Sequence, residues 1–423
     1  DKQYRSWEPR QGFLLPPSPL DWLPEGHLAY FILELLDQLD VTQIERSIRS
    51  KDARGTRPYS PAMMTGLLLY AYCVGVYSSR KIERATYEDV AFRILAGGQH
   101  PYFTTINEFR KTHLEALSSL FVQVLQLCRR AGLVKLGHVA MDGLRRIRQA
   151  KAELEAEARA SRAAELREQA EQARQRAAQE SRSDKARKAE ETRARRREEQ
   201  AAALDEARVE DFVTQEGLPK HRVRTRPDGT PHPKAQRNFV DSDSRIMECG
   251  GSFLQGYNCQ LAVDEEHQII VAQAVTNQCP DNGNLVPLLD QVARYCGRSP
   301  THATADAGYW YPQAEEDCCK RGTDGYVAPD RQRRGGDPPP SAPSAAEQPT
   351  ERDRMREKLR TVQGRAIYAR RKAVVEPVNG QIKEARGFRR FLLRGLNAVG
   401  GQWSLVCTGH NILKLYRAAQ AAT

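Results

Sequence analysis

Apolar residues in the first third of the chain recur every three or four positions, which is the spacing of amphipathic helices. Ser60-Pro61 has the signals of a helix start, and Gly97-Gly98 and Gly132 mark two helix ends. Thr105 and Glu108 have the spacing of a capping box, which predicts one helix from Thr105 to Gly132. The predicted helices are Leu28 to Leu39, Ser60 to Val76, one from Ser78 or Ser79, Glu88 to Leu95 and Thr105 to Gly132.

Residues 59–135 are therefore predicted to form a compact helical domain, preceded by an N-terminal extension over residues 1–58. Such a bundle could present a recognition helix to DNA, or it could be purely structural. The helical pattern alone leaves both interpretations open.

Short strand-like runs replace the helical pattern further along the chain. Strands are predicted at Leu136 to Met141, Thr301 to Ala305 and Gly325 to Ala328, with a β-hairpin at Gln255 to Thr276 around the turn Glu265-Glu266-His267. Helices are predicted from Asn284 to Tyr295, around Glu376, and from Gln402 to Ala419. Strands that alternate with helices predict an α/β fold for residues 136–144 and 215–423.

Two segments are predicted to lie outside this core. Residues 145–214 contain no proline and consist mainly of Ala, Glu, Arg, Lys and Gln, which predicts a long helix or helical hairpin. Its apolar positions are mostly alanine, so we expect a helical insertion that projects from the core. It is either a solvated helix or a contact for DNA or a partner. Residues 331–360 are predicted to be a disordered loop, because Pro, Gly, Ser and charged residues dominate there.

The net charge of the chain indicates a class of binding partner. The 423 residues carry a formal net charge of +11, which favours a polyanion such as nucleic acid. We expect no membrane association, because no stretch approaches the roughly 18 apolar residues of a membrane helix, and no signal peptide is visible. The nine cysteines include no CxxC pair, so we expect reduced thiols and a cytoplasmic protein.

Three carboxylates are candidates for metal chemistry. Asp142 and Asp306 directly follow predicted strands, and Gly143 and Gly308 lie close behind them, so backbone or phosphate could approach closely. Glu376 lies at the start of or within a predicted helix. Clustered carboxylates suit Mg²⁺, and two such ions can activate the attacking oxygen and stabilise the leaving oxygen of a phosphodiester. Spacing alone does not separate this triad from other Asp-Gly pairs and helical glutamates among 54 acidic residues.

The surroundings of Glu376 are strongly basic. Val375, Val378 and Ile382 repeat at helical spacing and are predicted to face the core, which turns Glu376 and Lys383 toward a neighbouring face. The basic residues here could clamp DNA phosphates or form a solvated charged helix. They are Arg370, Arg371, Lys372, Lys383, Arg386, Arg389, Arg390 and Arg394.

Several aromatic and histidine residues near these positions have open roles. Phe388 and Phe391 are predicted to anchor the basic segment in the core. Trp310 could stack on an unpaired base or be an ordinary core residue. His138 and His302 are predicted to be buried structural residues rather than ligands.

Five segments of the sequence resemble bacterial insertion-sequence DDE transposases with an InsH-type N-terminal domain. They are residues 59–110, 137–143, 234–260, 302–309 and 368–395. The last is the most specific, because Tyr368, Arg371, Glu376 and Lys383 are similar to the family's tyrosine–arginine–glutamate–lysine signature.

This resemblance implies an RNase H-like catalytic core in which Asp142, Asp306 and Glu376 hold two Mg²⁺ ions, with Mn²⁺ able to substitute. The three carboxylates should then converge within about 4–8 Å. The implied reaction cuts transposon-end DNA and joins the freed 3′-OH to target DNA, on which the protein acts as a homodimer. The residues expected to bind DNA are Tyr368, Arg371, Lys383, Arg386, Arg389, Arg390 and Trp310.

The sequence departs from the family pattern just after the first aspartate. The resemblance predicts Thr-Lys after the first Asp-Gly, whereas this chain has Leu144-Arg145-Arg146-Ile147. Asp142 itself is kept, so the metal site is expected to persist. The alternative is a catalytically weakened or domesticated copy that only binds DNA.

Overall fold

The structure is a computed structural model, and the chain divides into two compact units. One unit comprises Asp1–Ala116 with Tyr416–Thr423, and the other comprises Leu117–Leu415. Within the described part of the chain, no helix has both the length and the apolar character needed to span a membrane. The described residues are 18–49, 57–144, 152–179, 184–204, 212–223, 225–227, 230, 232, 241–249, 252–330 and 349–422.

The first unit is helical, as the apolar spacing predicts. Its helices come after a short 3-10 turn at Pro19–Trp22 and are α1 (Leu28–Leu36), α2 (Thr42–Arg49), α3 (Pro61–Cys73), α4 (Ser79–Glu88), α5 (Val90–Leu95), α6 (Phe103–Thr112) and the start of α7 (Leu114–Arg130). Ser60 caps α3 with its hydroxyl, as predicted, and Asp89 caps α5 by accepting from two backbone N–H groups. Helix α2 is not predicted by the sequence pattern.

The predicted helix from Thr105 to Gly132 is wrong, because the chain forms two helices there. Helix α6 begins at Phe103, whose N–H donates to Glu83 Oε2 of α4 at 3.1 Å. This cap comes from a distant residue, so Thr105 lies inside the helix instead of capping it. Helix α6 ends at Thr112, and α7 starts at Leu114, so the apolar periodicity continues across the break.

The second unit is built on a five-stranded mixed sheet. Its strands are β1 (His138–Leu144), β4 (Asn258–Asp264), β5 (Ile270–Thr276), β6 (His302–Ala305) and β7 (Asp324–Val327), in the order β5-β4-β1-β6-β7. Strands β1, β4 and β5 pair antiparallel, whereas β6 runs parallel to both β1 and β7. The predicted hairpin is confirmed as β4 and β5. Strands β2 (Arg245–Cys249) and β3 (Ser252–Gly256) form a separate antiparallel pair.

Helices surround this sheet. They are α10 (Leu285–Cys296), α11 (Ala314–Cys319), α12 (Glu351–Arg360), α13 (Val362–Gly380) and α14 (Leu396–Ala422), with a π-helical turn at Gln381–Ala385 after α13. Of the predicted loop at 331–360, residues 331–348 lie outside the described residues. The prediction is wrong for Glu351–Arg360, because Thr350 caps α12 and Met355 is buried.

The described part of the charged segment forms two helices, α8 (Ala152–Gln179) and α9 (Asp184–Leu204), which pack together as a hairpin. Alanines and one leucine form the seam, in two clusters. They are Ala163, Leu166 and Ala201, and Ala170, Ala173 and Ala194. Arg174 bridges to Glu198 on the other helix at 2.5 Å, and Arg197 donates to the Gln169 carbonyl at 3.1 Å. The hairpin therefore has a small core of its own.

Candidate active site

Asp142 and Asp306 lie at equivalent positions of two neighbouring chain segments, Asp142 within β1 and Asp306 directly after β6. Strands β1 and β6 pair in parallel up to Ala140 and Thr304, and the two aspartates each come two residues later. Asp306 directly follows its strand, as predicted. Asp142 does not, because β1 continues to Leu144, where Cys259 of β4 still supplies a pairing partner.

Helix α13 carries Tyr368, Arg371 and Glu376 and packs against β1 and β6, and Lys383 lies in the turn that follows it. The predicted core stripe is confirmed, because Val375 and Val378 of this helix are buried, as is Ile382 in the turn that follows it. Glu376 is exposed, and Asn379, one turn later, donates from Nδ2 to Asp142 Oδ2 at 2.6 Å. The helix therefore brings an amide to the first aspartate.

A proline interrupts the hydrogen bonds of α13 beside Glu376. Pro377 has no N–H, so it cannot donate to the carbonyl of Ala373 one turn earlier. The side chain of Gln268, in the turn between β4 and β5, donates to that carbonyl at 3.4 Å. The turn between β4 and β5 thus supplies a donor for the Ala373 carbonyl, which Pro377 leaves without a backbone donor.

A buried carboxylate stands next to Asp306. Asp306 Oδ1 accepts the Gly308 N–H at 2.8 Å. A Cβ atom built on Gly308 would lie 2.8 Å from Asp281 Oδ2 and 3.0 Å from Asp306 Oδ1. Asp281 Oδ1 accepts from the side-chain amides of Asn258, at 2.6 Å, and Gln260, at 2.9 Å. Asp281 is therefore held in place by β4 while its other oxygen faces the turn after Asp306.

The pKa of Tyr309 depends on the negative charge at this site. The side chain is fully buried, and its hydroxyl donates to Gln260 Oε1. Burial, and then the negative charges of Asp281, Asp142 and Asp306, raise the pKa of Tyr309 well above its ordinary value. Three aspartates from different parts of the sequence thus act on one phenol, which stays protonated and donates its hydrogen bond.

Tyr368 and Arg371 of α13 lie on the Asp306 side of the site. Burial raises the pKa of Tyr368, the charge of Arg371 opposes that rise, and the charge of Asp306 adds to it. The Arg371 guanidinium lies 5.7 Å from the centre of the Tyr368 ring. Its Nε is buried without a hydrogen-bond partner among the residues that the structure describes. A buried donor of this kind suits an anion that approaches Asp306.

Lys383 lies near the other side of the site. Burial raises the pKa of the Cys259 thiol, and the positive charge of Lys383 acts against that rise. Since Cys259 pairs with Leu144, two residues beyond Asp142, this interaction puts Lys383 near the end of β1.

The predicted DNA-binding residues beyond Lys383 separate into two groups. Arg386 is buried and donates to the carbonyls of Gln381 and Val406 at 3.3 Å each. These side-chain donors are used inside the protein, and the role of Arg386 in DNA contact stays a prediction. Arg389 and Arg390 are exposed, and Arg389 pairs with Glu384. Trp310 is half-buried.

The donor chemistry of the site fits a hard cation. Among the described residues, no group of three or more His, Cys, Asp or Glu side chains has an arrangement that could hold a metal ion. The site nevertheless offers carboxylate oxygens from Asp142 and Asp306, and Glu376 lies one turn from the amide that contacts Asp142. These oxygens are the ligands that Mg²⁺ prefers, with water filling its remaining positions.

The sequence pattern does not predict three residues of this site, Asn379, Asp281 and Gln260. A signal for the last exists, because Asn258 and Gln260 interrupt an otherwise apolar predicted strand, and buried polar side chains need partners. Asp281 is such a partner, but it lies in a polar loop without any local signal. Asn379 resembles any polar helix position until the helix is docked.

Two family models match the chain. Residues 17–112 match the Transposase domain (DUF772), and residues 342–416 match the Transposase DDE domain. The second stretch contains all four residues of the signature that begins at Tyr368. No curated protein matches the chain, and neither does any solved structure.

Proposed function

We propose that the chain is an insertion-sequence DDE transposase, as both matching family models support. In this role it would cut transposon ends and join the freed 3′-OH to target DNA. The observation that carries the proposal is the position of Asp142 in β1 and of Asp306 directly after the adjacent parallel strand β6, beside α13. Glu376 on that helix is the third proposed carboxylate. The mixed sheet, with carboxylates at two strands and one helix, supports an RNase H-like core.

Asp142, Asp306 and Glu376 are the residues proposed to hold two Mg²⁺ ions, with Mn²⁺ as a substitute. When bound, the ions supply activation of the attacking oxygen and stabilisation of the leaving oxygen. Arg371 would bind the phosphate through its unpaired Nε, and Tyr368 packs beside it. Lys383 would contribute positive charge at the end of β1, where the DNA backbone would pass.

The wider assembly is inferred from the resemblance. Transposon ends are brought together in pairs, so we propose a homodimer on DNA, in the bacterial cytoplasm and on nucleoid DNA. Arg389, Arg390 and Trp310 are partly or fully exposed and remain proposed DNA contacts. The α8–α9 hairpin is proposed to embrace DNA or the second subunit, because its chain leaves the sheet directly after β1.

The test removes charge at each carboxylate while keeping shape. Asp142→Asn, Asp306→Asn and Glu376→Gln should each lower Mg²⁺-dependent cleavage of end DNA by more than about 100-fold, since losing even a neighbour of a metal ligand can cost that much. Binding of end DNA, followed by gel shift without metal, should change little. Glu357→Gln removes an exposed carboxylate from α12 and is the matched control.

A variant that keeps near wild-type cleavage would remove its residue from the proposed ligand set. Wild-type protein that binds end DNA but cleaves it with neither Mg²⁺ nor Mn²⁺ would instead identify the DNA-binding alternative without catalysis.

A further inference from the structure

The amide of Asn379 makes a short, direct contact with the first proposed metal ligand. Its Nδ2 lies 2.6 Å from Asp142 Oδ2, which is well inside the range of an N–H···O bond. Asn379 is half-buried, and its neighbour Val378 is fully buried against the core. The side chain is therefore confined at the inner edge of α13.

The docking of α13 fixes where that amide lies. Arg370, in the middle of the helix, bridges to Glu265 at 3.1 Å, and Glu265 contacts His138 Nδ1 at the start of β1. Nine residues of helix at about 1.5 Å each cover the same length as four residues of strand at about 3.3 Å each. The helix therefore runs along β1 from His138 to Asp142, with a contact at each end.

A neutral amide is suited to a carboxylate that must bind a cation. An N–H donor orients the carboxylate without adding positive charge, whereas a lysine or arginine in the same place would compete with the metal. Carboxylates that ligate metals are commonly held by such hydrogen bonds, and losing the partner weakens metal affinity.

We propose that Asn379 is a positioning residue, which sets the rotation of the Asp142 carboxylate and so the direction from which its oxygens meet a divalent ion. This rests on the proposed function. The same helix carries Glu376 one turn earlier, so one rigid element both supplies the third carboxylate and orients the first.

The experiment uses the full-length chain and Mn²⁺ as the probe. Asn379→Leu keeps the size of the side chain and removes the donor, Asn379→Ala removes it without adding apolar bulk, and Asn379→Gln retains an amide. Gln381→Ala is the matched control, because it removes an amide from the same helix end that contacts Gln268 instead of Asp142. Mn²⁺ affinity is measured without DNA, from the electron paramagnetic resonance signal of free Mn²⁺, beside thermal melting.

Asn379→Leu and Asn379→Ala should weaken Mn²⁺ binding by about 10–100-fold, with Asn379→Gln in between and Gln381→Ala unchanged. In cleavage, the Mg²⁺ concentration for half-maximal rate should rise more than the maximal rate falls. Wild-type Mn²⁺ affinity in a folded Asn379→Ala or Asn379→Leu protein, or tighter binding, overturns the inference and leaves the proposed function intact. A wild-type protein that binds no Mn²⁺ overturns the proposed function, and the inference falls with it.

Discussion

Gly308 sets the space between two carboxylates at the candidate site. The Cβ of an alanine at this position would lie 2.8 Å from Asp281 Oδ2 and 3.0 Å from Asp306 Oδ1, and Asp281 cannot easily retreat because two amides hold it. Gly308→Ala should therefore destabilise the protein by about 1–3 kcal/mol, as overpacking does, and reduce cleavage.

Urea unfolding measures this loss. Gly380→Ala is the control, because a Cβ there meets no atom within 4 Å and alanine favours the helix. Equal unfolding midpoints for the two variants would mean that the carboxylates adapt to the added methyl group.

Arg386 and Arg390 should respond in opposite ways to substitution by alanine. Arg386→Ala removes two buried side-chain hydrogen bonds, to the carbonyls of Gln381 and Val406, and should lower the free energy of unfolding by about 1–3 kcal/mol. Arg390 is exposed, so Arg390→Ala should leave stability unchanged. It should weaken DNA binding and reduce the slope of log affinity against log salt by about 1. A stable Arg386→Ala protein with weakened DNA binding would instead support a role of Arg386 in DNA contact.

At the scale of elements, the α8–α9 hairpin should be separable from the sheet. The buried seam of this hairpin lies between its own two helices. Its described contacts with the rest of the unit include the partly exposed ion pair between Glu168 and Arg222. Such pairs contribute about 0–1 kcal/mol. Replacing residues 152–204 by a short Gly/Ser linker should therefore change the melting temperature little while weakening assembly of paired ends.

The hairpin deletion is followed by thermal melting beside a gel shift on end DNA. A large drop in melting temperature would show that the hairpin belongs to the core. Unchanged paired-end assembly would show that it is a passive insertion.

Local patterns predict some elements well and others poorly. The β4–β5 hairpin is predictable because β-rich runs flank a polar turn, and the stripe of Val375, Val378 and Ile382 because helical spacing marks its buried face. The break between α6 and α7 is not, because Glu83 supplies the cap from another helix. The Asn379–Asp142 contact joins residues far apart in the chain, so only docking of the helix reveals it.

For the whole molecule, the distribution of charge predicts that non-specific attraction to DNA and assembly of paired ends depend on different parts of the chain. Helices α8 and α9 together contain 12 Lys and Arg against 11 Asp and Glu, so they add almost nothing to the net charge of +11. Non-specific attraction to DNA phosphates must then come mainly from the rest of the chain. The hairpin-deleted protein should accordingly keep its salt-dependent affinity for non-specific DNA while losing paired ends.

The π-helical turn after α13 affects both how far the basic residues lie from Glu376 and in which direction the chain carries them. The Arg386 N–H donates to the Gln381 carbonyl five residues earlier, at 3.1 Å, which closes a turn wider than that of an α-helix. Such a turn takes five residues between donor and acceptor where an α-helix takes four. Helical spacing counted from Glu376 therefore does not give the direction in which the residues after the turn point.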